Sequence, residues 1–374
     1  MRRLPSNIPL SNSMKYLICI KGDGRGHITQ ALALAPLLQS HGHEICAFVV
    51  GCTEKTHLPA FLAAKATAPI VKVYSPNFVP DKHNKGISWG STFLEAILHT
   101  PKFQGTFKTY ARLIKEHKPD VIINLYDPSI SLYSCLHRLP APLIHIAHQY
   151  LMLHDVFVFP QGREIEKSAI VNYTRFTQLN TTKMLALSFY EAPDDRAKKI
   201  FPVAPILREE IFKRTPTQGD HLLVYVMNAG LAQEIRAFNA LRPDVPVHAF
   251  WNNREAPETL KESSTLTFHQ LNDTLFLDMM ASCRGVACTA GFETVSEALY
   301  YRKPALLMPS PGQYEQFANA MDAESIGAGK RVTKLDLNLL LDFIPEYQPK
   351  YDDYMKWLPT ANPKILSHLE NPTE

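Results

Sequence analysis

Short, continuous apolar runs recur along this chain, and segments of helix length separate them. In the first half the runs are YLICI (16–20), ICAFVV (45–50), IVKVY (70–74), VIINL (121–125), LIHIA (143–147) and MLALSF (184–189). Runs of this kind are typical of strands that are buried on both faces of a parallel sheet. The intervening segments, such as 28–40 and 92–117, predict helices. The first half is therefore expected to be a doubly wound α/β domain.

The pattern breaks once and then restarts. Residues 201–220 hold three prolines, a charged middle and a polar end, which are typical of a linker. The apolar runs that follow are HLLVYVM, PVHAFW, STLTF, GVACT and PALLMP, which predict a second open α/β sheet. The predicted division is a disordered tail at 1–13, a first domain at 14–203, a second domain at 204–336, and helices at 337–374 that pack back on the first domain.

Length, net charge and cysteine count restrict the class of protein. The chain has 374 residues, a net charge of +3 and six cysteines. This length predicts about two domains, and the small charge does not favour a nucleic-acid partner. No two cysteines form a Cys-x-x-Cys pair, which favours a reducing compartment over disulfides or a zinc site. No apolar run reaches the roughly 20 residues of a membrane-spanning helix, and the N-terminus lacks the apolar core of a signal peptide.

A glycine-rich loop, KGDGRGH, follows the first predicted strand. It is not the dinucleotide fingerprint, because no acidic residue follows the second strand where a ribose would be bound. Gly24 and Gly26 would let a ligand approach the backbone closely, next to the N-terminus of a helix. His27 starts that helix at the mouth of the expected cleft, so it is a candidate catalytic residue. The alternative is that His27 only caps the helix or packs below it.

A second candidate ligand-binding segment spans residues 289–320 and follows the run GVACT. A small-residue turn and a helix start there, and the amides of Gly291, Phe292, Glu293 and Thr294 would suit a diphosphate. Glu297 would accept hydrogen bonds from ribose hydroxyls. Glu315, Gln316 and Asn319 begin the next helix, where carboxylate and amide groups suit sugar hydroxyls. The alternative is a solvated, charged surface for these side chains.

The first domain offers residues for an acceptor. Asp127 follows the run VIINL and is a candidate general base, with helix capping as an equal alternative. His148 and Gln149 follow the run LIHIA, so they should also face the cleft if the strands are parallel. The basic segment 100–118 fits either a solvated helix, which its composition favours, or a helix on a membrane surface.

Three motifs resemble those of the GT-B glycosyltransferases related to the lipid-linked N-acetylglucosaminyltransferase of peptidoglycan synthesis. They stand here as GDGRGHITQALAL, GFETVSEALYYRKP and EQFANA. Asp23 and Arg25 depart from the family's small residues in the first motif. The resemblance implies a GT-B fold of two Rossmann-like domains around a cleft, with the acceptor on the first domain and the donor on the second. It also implies that Asn228 and Gly230, in VMNAGL, contact a phosphate.

The resemblance implies an inverting transfer of a sugar from a nucleoside diphosphate sugar, with UDP favoured, to an acceptor hydroxyl. The family uses no metal, and no Asp-x-Asp triplet occurs here, so no metal or other cofactor is expected. A cytoplasmic location is expected, and a lipid-linked acceptor with peripheral membrane contact stays open. Two alternatives remain: a non-hydrolysing nucleotide-sugar 2-epimerase, and a nucleotide-sugar-binding protein in which Asp23 and Arg25 crowd the donor.

Overall fold

Two parallel-dominated sheets form the framework of the protein. The computed structural model describes residues 13–53, 56–75, 101–226, 229–253 and 255–374. In this part the first sheet consists of β1 (Lys15–Lys21), β2 (Glu44–Cys52), β3 (Ile70–Tyr74), β4 (Val121–Leu125), β5 (Leu143–Ala147), β6 (Lys183–Leu187) and β7 (Ile200–Val203). Its order is β3-β2-β1-β4-β5-β6-β7, and all its pairings are parallel. This is the doubly wound arrangement that the apolar runs predicted.

Helices connect these strands and cover both faces of the sheet. They are α1 (Gly26–Ser40), α2 (Ala60–Lys65), α3 (Pro101–His117), α4 (Pro128–Leu136) and α5 (Glu164–Thr177). Every residue of β4 and β5 is buried, because helices shield both faces. The helical part of the predicted segment 92–117 is described only from Pro101 onward.

The second sheet repeats this plan. It consists of β8 (Leu222–Val226), β9 (Val247–Trp251), β10 (Thr259–Lys261), β11 (Leu266–Gln270), β12 (Gly285–Cys288), β13 (Ala305–Leu307) and β14 (Gly329–Arg331). The order is β10-β11-β9-β8-β12-β13-β14, in which only the edge strand β10 pairs antiparallel among the described strands. The connecting helices are α6 (Glu209–Phe212), α7 (Ala232–Leu241), α8 (Asp273–Ser282), α9 (Phe292–Tyr300) and α10 (Tyr314–Ser325).

Three edge strands escaped the sequence prediction. The interpretation of 201–220 as a linker is wrong at its start, because Phe201 to Val203 belong to β7, which pairs with β6. Pro202 is tolerated there because β7 is an edge strand and needs no partner on its outer side. The edge strands β10 and β14 are three residues long and contain Lys or Arg, so they lack the apolar run on which the prediction depended.

The C-terminal helices divide between the two domains. They are α11 (Leu337–Phe343), α12 (Tyr351–Trp357) and α13 (Ala361–Glu370). The predicted packing of all of 337–374 on the first domain is wrong for α11, because Leu337 and Leu340 are buried in the core of the second sheet. The helices α12 and α13 do reach the first domain: the Trp357 indole donates to the Ser188 carbonyl at 3.1 Å, and the Tyr16 hydroxyl donates to the Leu369 carbonyl at 3.2 Å.

The basic helix α3 uses its apolar side inside the protein. Its buried side chains include Phe103, Tyr110, Leu113 and Ile114, and its charged residues point outward. This packing favours the solvated-face interpretation over a helix lying on a membrane. Thr100 and the preceding residues from 76 lie outside the described part. Among the helices that the structure describes, none combines the length and apolarity needed to cross a bilayer.

Candidate active site

The glycine-rich loop brings the N-terminus of α1 to the space between the domains. Gly24 has φ of +94°, a left-handed conformation that favours glycine, and α1 begins two residues later. His27 lies in the first turn of α1 and does not cap it. Its Nδ1 lies 3.3 Å from Gln30 Oε1, and its ring stacks on Tyr126 with centroids 5.6 Å apart. Burial, reinforced by the Lys21 ammonium, lowers the pKa of His27 to about 3, so its ring is neutral at neutral pH.

The turn before α9 presents a second helix N-terminus. Ala290 has φ of +58°, which is strained for a residue with a Cβ. Its carbonyl accepts a hydrogen bond of 3.4 Å from the Asn319 amide of α10, which supports the turn. Gly291 is the N-cap residue and supplies no side-chain cap, so an anion could bind at the first amides of α9, although the Glu293 amide interacts with its own carboxyl group.

One carboxyl group joins these two helix N-termini. Glu293, in the first turn of α9, accepts a hydrogen bond from the Gln30 amide of α1. A Cβ at Gly26 would overlap the Glu293 carboxylate, so the second glycine of the loop makes room for this side chain. Burial, together with the Glu297 and Glu315 charges, raises the pKa of Glu293 to about 7. Hydrogen bonds from its own backbone amide and from Gln30 oppose this shift. Sequence reasoning had considered only the backbone amide of Glu293.

A cluster of ion pairs, here called the cleft charge cluster, crosses the mouth of the cavity. The Arg208 guanidinium contacts Glu297 through two hydrogen bonds of 2.6 and 3.0 Å, and its Nη1 lies 2.7 Å from Asp273 Oδ2. Asp273 also lies 3.4 Å from Arg25 and 3.6 Å from Lys65, both of the first domain. Burial would raise the pKa of Asp273, but Arg208, Arg25 and Lys65 together lower it. The Glu297 side chain is 2% exposed. A ribose hydroxyl that binds Glu297, as predicted, would therefore share its carboxylate with Arg208.

The first turns of α10 hold the candidate sugar-binding side chains. Glu315 Oε1 accepts a hydrogen bond of 2.7 Å from the Gln149 amide, which again joins the two domains. Gln316 Oε1 accepts one of 2.8 Å from the Ser310 backbone, which fixes the loop before α10. Lys21, at the end of β1, lies over the Tyr126 and Tyr173 rings. Burial would lower the pKa of Lys21, but Tyr173 and Glu315 raise it, so it is a cation at this end of the site.

His148 packs below the site and contacts the second domain. Its ring stacks on Phe292 with centroids 4.2 Å apart, and its Nδ1 donates to the Leu187 carbonyl at 2.7 Å. Its Nε2 lies 3.7 Å from the Asp322 carboxylate, which also accepts a hydrogen bond of 2.9 Å from the Tyr190 hydroxyl. Burial lowers the pKa of His148 to about 4 and raises that of Asp322 to about 7. His148 therefore supports the α9 turn, in addition to lining the cavity.

Asp322 makes stability depend on pH. Its carboxyl keeps a proton up to about pH 7 in the folded protein but only to about pH 4 when unfolded, so rising pH destabilises the fold between these values. We expect Asp322→Asn to remove this loss, with a benefit of about 2–4 kcal/mol above pH 7. Melting temperatures from pH 5 to 8 measure the difference between the two proteins, which should grow with pH and then level off.

Comparing the pH dependence of stability in Asp322→Asn and the wild type separates the effect of Asp322 from that of nearby histidines. His148 has a lowered pKa, so its own contribution to stability rises with pH and opposes that of Asp322, but it is common to both proteins. Asp352→Asn, on the exposed part of α12, is a matched control that should give no such pH-dependent difference. If the difference in melting temperature between Asp322→Asn and the wild type does not change with pH, the Asp322 carboxyl is ionised in the folded protein.

These groups surround one cavity of about 840 Å³ between the carboxyl ends of the two sheets. All the described candidate residues line it except Asp127 and Gly230; those that do are Gly24, Gly26, His27, His148, Gln149, Gly291, Phe292, Glu293, Thr294, Glu297, Glu315, Gln316 and Asn319. Two helix N-termini, a lysine and several carboxyl and amide groups can together bind a diphosphate and a polyhydroxylated group.

Comparison with known proteins identifies the family. The model of glycosyl transferase family 1 matches residues 14–347. The chain belongs to this family. It is a glycosyltransferase, and its two sheets facing a common cleft form the GT-B fold. These findings confirm the fold and the class of enzyme that the three motifs implied.

Individual relatives and a solved structure support the assignment. The UDP-N-acetylglucosamine–N-acetylmuramyl-(pentapeptide) pyrophosphoryl-undecaprenol N-acetylglucosamine transferase of Fusobacterium nucleatum is 25% identical, with 81% of each chain covered. An uncharacterized glycosyltransferase of Methanosarcina mazei is 25% identical over 96% of each chain. The structure of Arabidopsis thaliana UGT89C1 complexed with UDP matches with a TM-score of 0.62 at 14% identity, covering 96% of this chain and all of the other. The names of the two relatives favour sugar transfer over the epimerase and binding-protein alternatives.

Asp127 is not in the active site of this glycosyltransferase. Its carboxyl accepts hydrogen bonds from the Ser129 backbone and hydroxyl and thereby caps α4. It is fully buried against β2, where a Cβ at Gly51 would overlap it. The capping alternative therefore holds, and the prediction of a base at Asp127 is wrong. Gly230 lies in an exposed turn and does not line the described cavity, and Asn228 lies outside the described residues.

Several residues of the glycosyltransferase site escaped sequence reasoning. They are Lys21, Gln30, Arg208 and Tyr225, all of which line the cavity. Asn272 and Asp273 also line the cavity, and Asn272 is the N-cap of α8. Arg208 lay in the segment interpreted as a linker. The described residues contain no group of three or more His, Cys, Asp or Glu side chains suited to a metal ion.

Proposed function

We propose that this glycosyltransferase transfers a sugar from a UDP-linked donor to an acceptor hydroxyl, with inversion and without a metal ion. The observation that carries the proposal is the pair of helix N-termini, of α1 and α9, that face one cavity from opposite domains. The amides at the start of α9 would hold the diphosphate, and Glu315 and Gln316 would contact the donor sugar. Lys21 would add positive charge near the leaving group.

The choice of donor is supported by the compared proteins. The relative from Fusobacterium nucleatum is named for UDP-N-acetylglucosamine, and the Arabidopsis protein is described in complex with UDP. The first name also includes a lipid pyrophosphate acceptor, so we propose that lipid-linked sugars be the first acceptors tested here. Such an acceptor would bring the protein to a membrane surface from the cytoplasm, with the acceptor on the first domain.

Binding of UDP should stabilise the folded protein. We expect UDP and one UDP-sugar to raise the melting temperature, because a ligand at 100 times its Kd adds about 2.7 kcal/mol of stability. The measurement is a thermal-shift panel of UDP, TDP, GDP, CDP and ADP with their common sugars, in EDTA and again with Mg²⁺ or Mn²⁺. A shift with UDP that does not depend on the metal is expected.

Other outcomes of the same panel count against the proposal. A larger shift with another nucleotide would replace UDP as the donor base, and a shift only with a divalent cation would contradict metal independence. No shift with any nucleotide would contradict the assignment of the cavity. Once an acceptor is found, the anomeric configuration of the product tests inversion directly.

A further inference from the structure

We propose that Gln30 is a positioning residue that holds the His27 ring in the tautomer whose Nε2 is free to take the proton of the acceptor hydroxyl. The proposal rests on the inverting transfer proposed above, in which one group must accept that proton, and on His27 as that group. His27 lies in the first turn of α1 and lines the cavity. Gln30 follows three residues later, on the same face of the helix.

Several carboxyl groups around the cavity are less suited to this step than His27. Asp273 and Glu297 form ion pairs with Arg208, which weakens them as proton acceptors. Glu293 lies in the first turn of α9, where the negative charge of a bound diphosphate would keep its carboxyl group protonated. The same diphosphate charge favours the protonated His27 ring that forms during the transfer.

A neutral imidazole accepts a proton only at the ring nitrogen that carries none. Burial, reinforced by Lys21, lowers the pKa of His27 to about 3, so the ring is neutral before the transfer. Its Nδ1 lies 3.3 Å from Gln30 Oε1, at the long end of hydrogen bonding, as is common before a substrate binds. An amide oxygen only accepts, so Nδ1 carries the ring proton and donates it to Gln30. Nε2 is then the basic nitrogen.

Glu293 determines which end of the Gln30 amide faces His27. The Gln30 Nε2 group donates a hydrogen bond to Glu293 Oε1 across the domain boundary. An ionised carboxylate only accepts, and a carboxyl group with its proton on Oε2 still accepts at Oε1. Both forms therefore keep the amide nitrogen of Gln30 at Glu293 and its oxygen at His27. The reversed amide would donate to Nδ1, which would put the ring proton on Nε2 and remove the base.

This arrangement makes the orientation of His27 depend on the second domain. Glu293 belongs to α9, whereas His27 and Gln30 belong to α1. A base is commonly oriented by a third group, and Asp127 does not serve in this way because it caps α4. When the domains separate, Gln30 loses the contact that fixes its amide, and His27 is no longer restricted to one tautomer. The closed protein is therefore the form in which His27 is prepared as a base.

The step balances without a further reactant. His27 Nε2 takes the hydroxyl proton while the acceptor oxygen forms a bond to C1 of the donor sugar. The bond between C1 and the diphosphate oxygen breaks, and its electron pair leaves with the nucleoside diphosphate. The ring is then a cation with a proton on each nitrogen, and the hydrogen bond from Nδ1 to Gln30 becomes stronger. The Nε2 proton passes to solvent as the product leaves, which restores the neutral ring.

Gln30→Met tests this role, because it keeps the length of the side chain and removes both ends of the amide. The readout is the His27 tautomer, measured by NMR of the ring nitrogens in histidine-labelled protein, with His27→Asn to assign the signal. The wild type should carry a proton on Nδ1 and none on Nε2. In Gln30→Met the proton should move largely to Nε2, the commoner form of a free histidine side chain. Gln39→Met, on the exposed part of α1, is the matched control.

Gln30→Glu separates the orientation of His27 from simple contact between the domains. The carboxylate of this variant accepts from His27 Nδ1 but cannot donate to Glu293, so it weakens the link between α1 and α9. We expect it to keep the proton on Nδ1, in contrast to Gln30→Met. If Gln30 served only to join the domains, Gln30→Glu would alter the tautomer at least as much as Gln30→Met does.

Turnover supplies a second readout, with UDP-N-acetylglucosamine as the donor and water as the acceptor. In Gln30→Met, kcat for UDP release should fall by about 10- to 10²-fold, less than the roughly 10²- to 10⁴-fold effect of a lost base. The Kd for UDP should stay within a few-fold of wild type, because the change acts on His27 rather than on the donor.

The outcomes distinguish failure of this role from failure of the proposed donor. A proton on Nε2 of His27 in the wild type, or an unchanged tautomer in Gln30→Met, overturns the role, as does an unchanged kcat. If the wild type hydrolyses no donor, the tautomers decide. Wild-type protein that binds no UDP instead contradicts the proposed donor, and the tautomer measurement does not depend on UDP.

Discussion

Replacing Arg208 with Met is expected to destabilise the protein by about 3–5 kcal/mol, because it leaves the buried Glu297 carboxylate without its cation. Arg208 is 11% exposed and forms a two-point contact with Glu297, which is 2% exposed. Its Nη1 also pairs with Asp273. Met matches much of the length of the arginine stem, so the change removes charge more than volume. Urea unfolding of the two proteins at neutral pH measures the difference.

The same variant should bind UDP more weakly. With Arg208 absent, Glu297 faces the cavity as an uncompensated negative charge, while Asp273 keeps only its longer contacts with Arg25 and Lys65. The added negative charge repels a diphosphate. Lys65→Met is the matched control, since Lys65 also pairs with Asp273 but is 39% exposed. An exposed pair contributes about 0–1 kcal/mol, so this control should remain close to wild type. An Arg208→Met protein as stable as Lys65→Met would show that the Glu297 carboxyl does not depend on Arg208.

The interaction also revises how Glu297 should be tested. Sequence resemblance gives Glu297 a ribose contact, and that role remains a prediction. In the structure, both of its carboxylate oxygens accept hydrogen bonds from Arg208. Removal of Glu297 would therefore leave Arg208 with Asp273 as its anionic partner in the described site. A loss of affinity in such a variant would combine a lost ribose contact with a displaced arginine, and double variants with Arg208→Met would separate the two.

The features predicted well from the sequence are those with a local signal. A strand such as β5, buried along its whole length, must be a continuous apolar run, and the run LIHIA is visible without any tertiary information. The turn before α9 was also predictable, since small residues between a strand and a helix are a local pattern. Both features depend on residues that are close in the chain, which is why they allowed the fold and the donor-side turn to be inferred.

The features that were missed depend on residues far apart in the chain. Gln30 and Glu293 are joined across the two domains, and no local spacing links them. Arg208 belongs to a charged segment after β7, and only the folded chain brings it to Glu297. Asp127 shows the opposite error, because an acid after a parallel strand can face a cleft or cap the next helix. The Ser129 contact that decides between these roles is itself local, but it has the same sequence signature in both cases.

The site is consequently a property of the interface between the domains. Gln30 with Glu293, Gln149 with Glu315, and Arg25 with Asp273 each join one domain to the other around the cavity. A donor that binds to the second domain would contact the same carboxyl groups that hold the first domain near. Donor binding and domain closure should therefore be coupled, because they use shared side chains.

Trp357 of α12 is expected to hold the C-terminal helices and the first domain together. It is 4% exposed, packs with Leu358, Ile365 and Leu369, and donates its indole hydrogen bond to the Ser188 carbonyl at 3.1 Å. We expect Trp357→Ala to destabilise the protein by about 3–5 kcal/mol, the usual cost of removing a buried aromatic side chain. Urea unfolding measures this loss.

The position of α12 determines which elements should lose stability in Trp357→Ala. Tyr354, one turn before Trp357, donates to the Ser296 carbonyl of α9 at 3.0 Å, so α12 touches the active-site helix as well as the first domain. Hydrogen exchange in Trp357→Ala should accelerate first in α12 and α13 and leave β4 and β5 protected. Trp357→Phe keeps most of the packing but loses the hydrogen bond, at about 1–2 kcal/mol. Both variants lose the hydrogen bond to Ser188. If they are equally stable, this hydrogen bond, and not the packing of the ring, holds these helices in place.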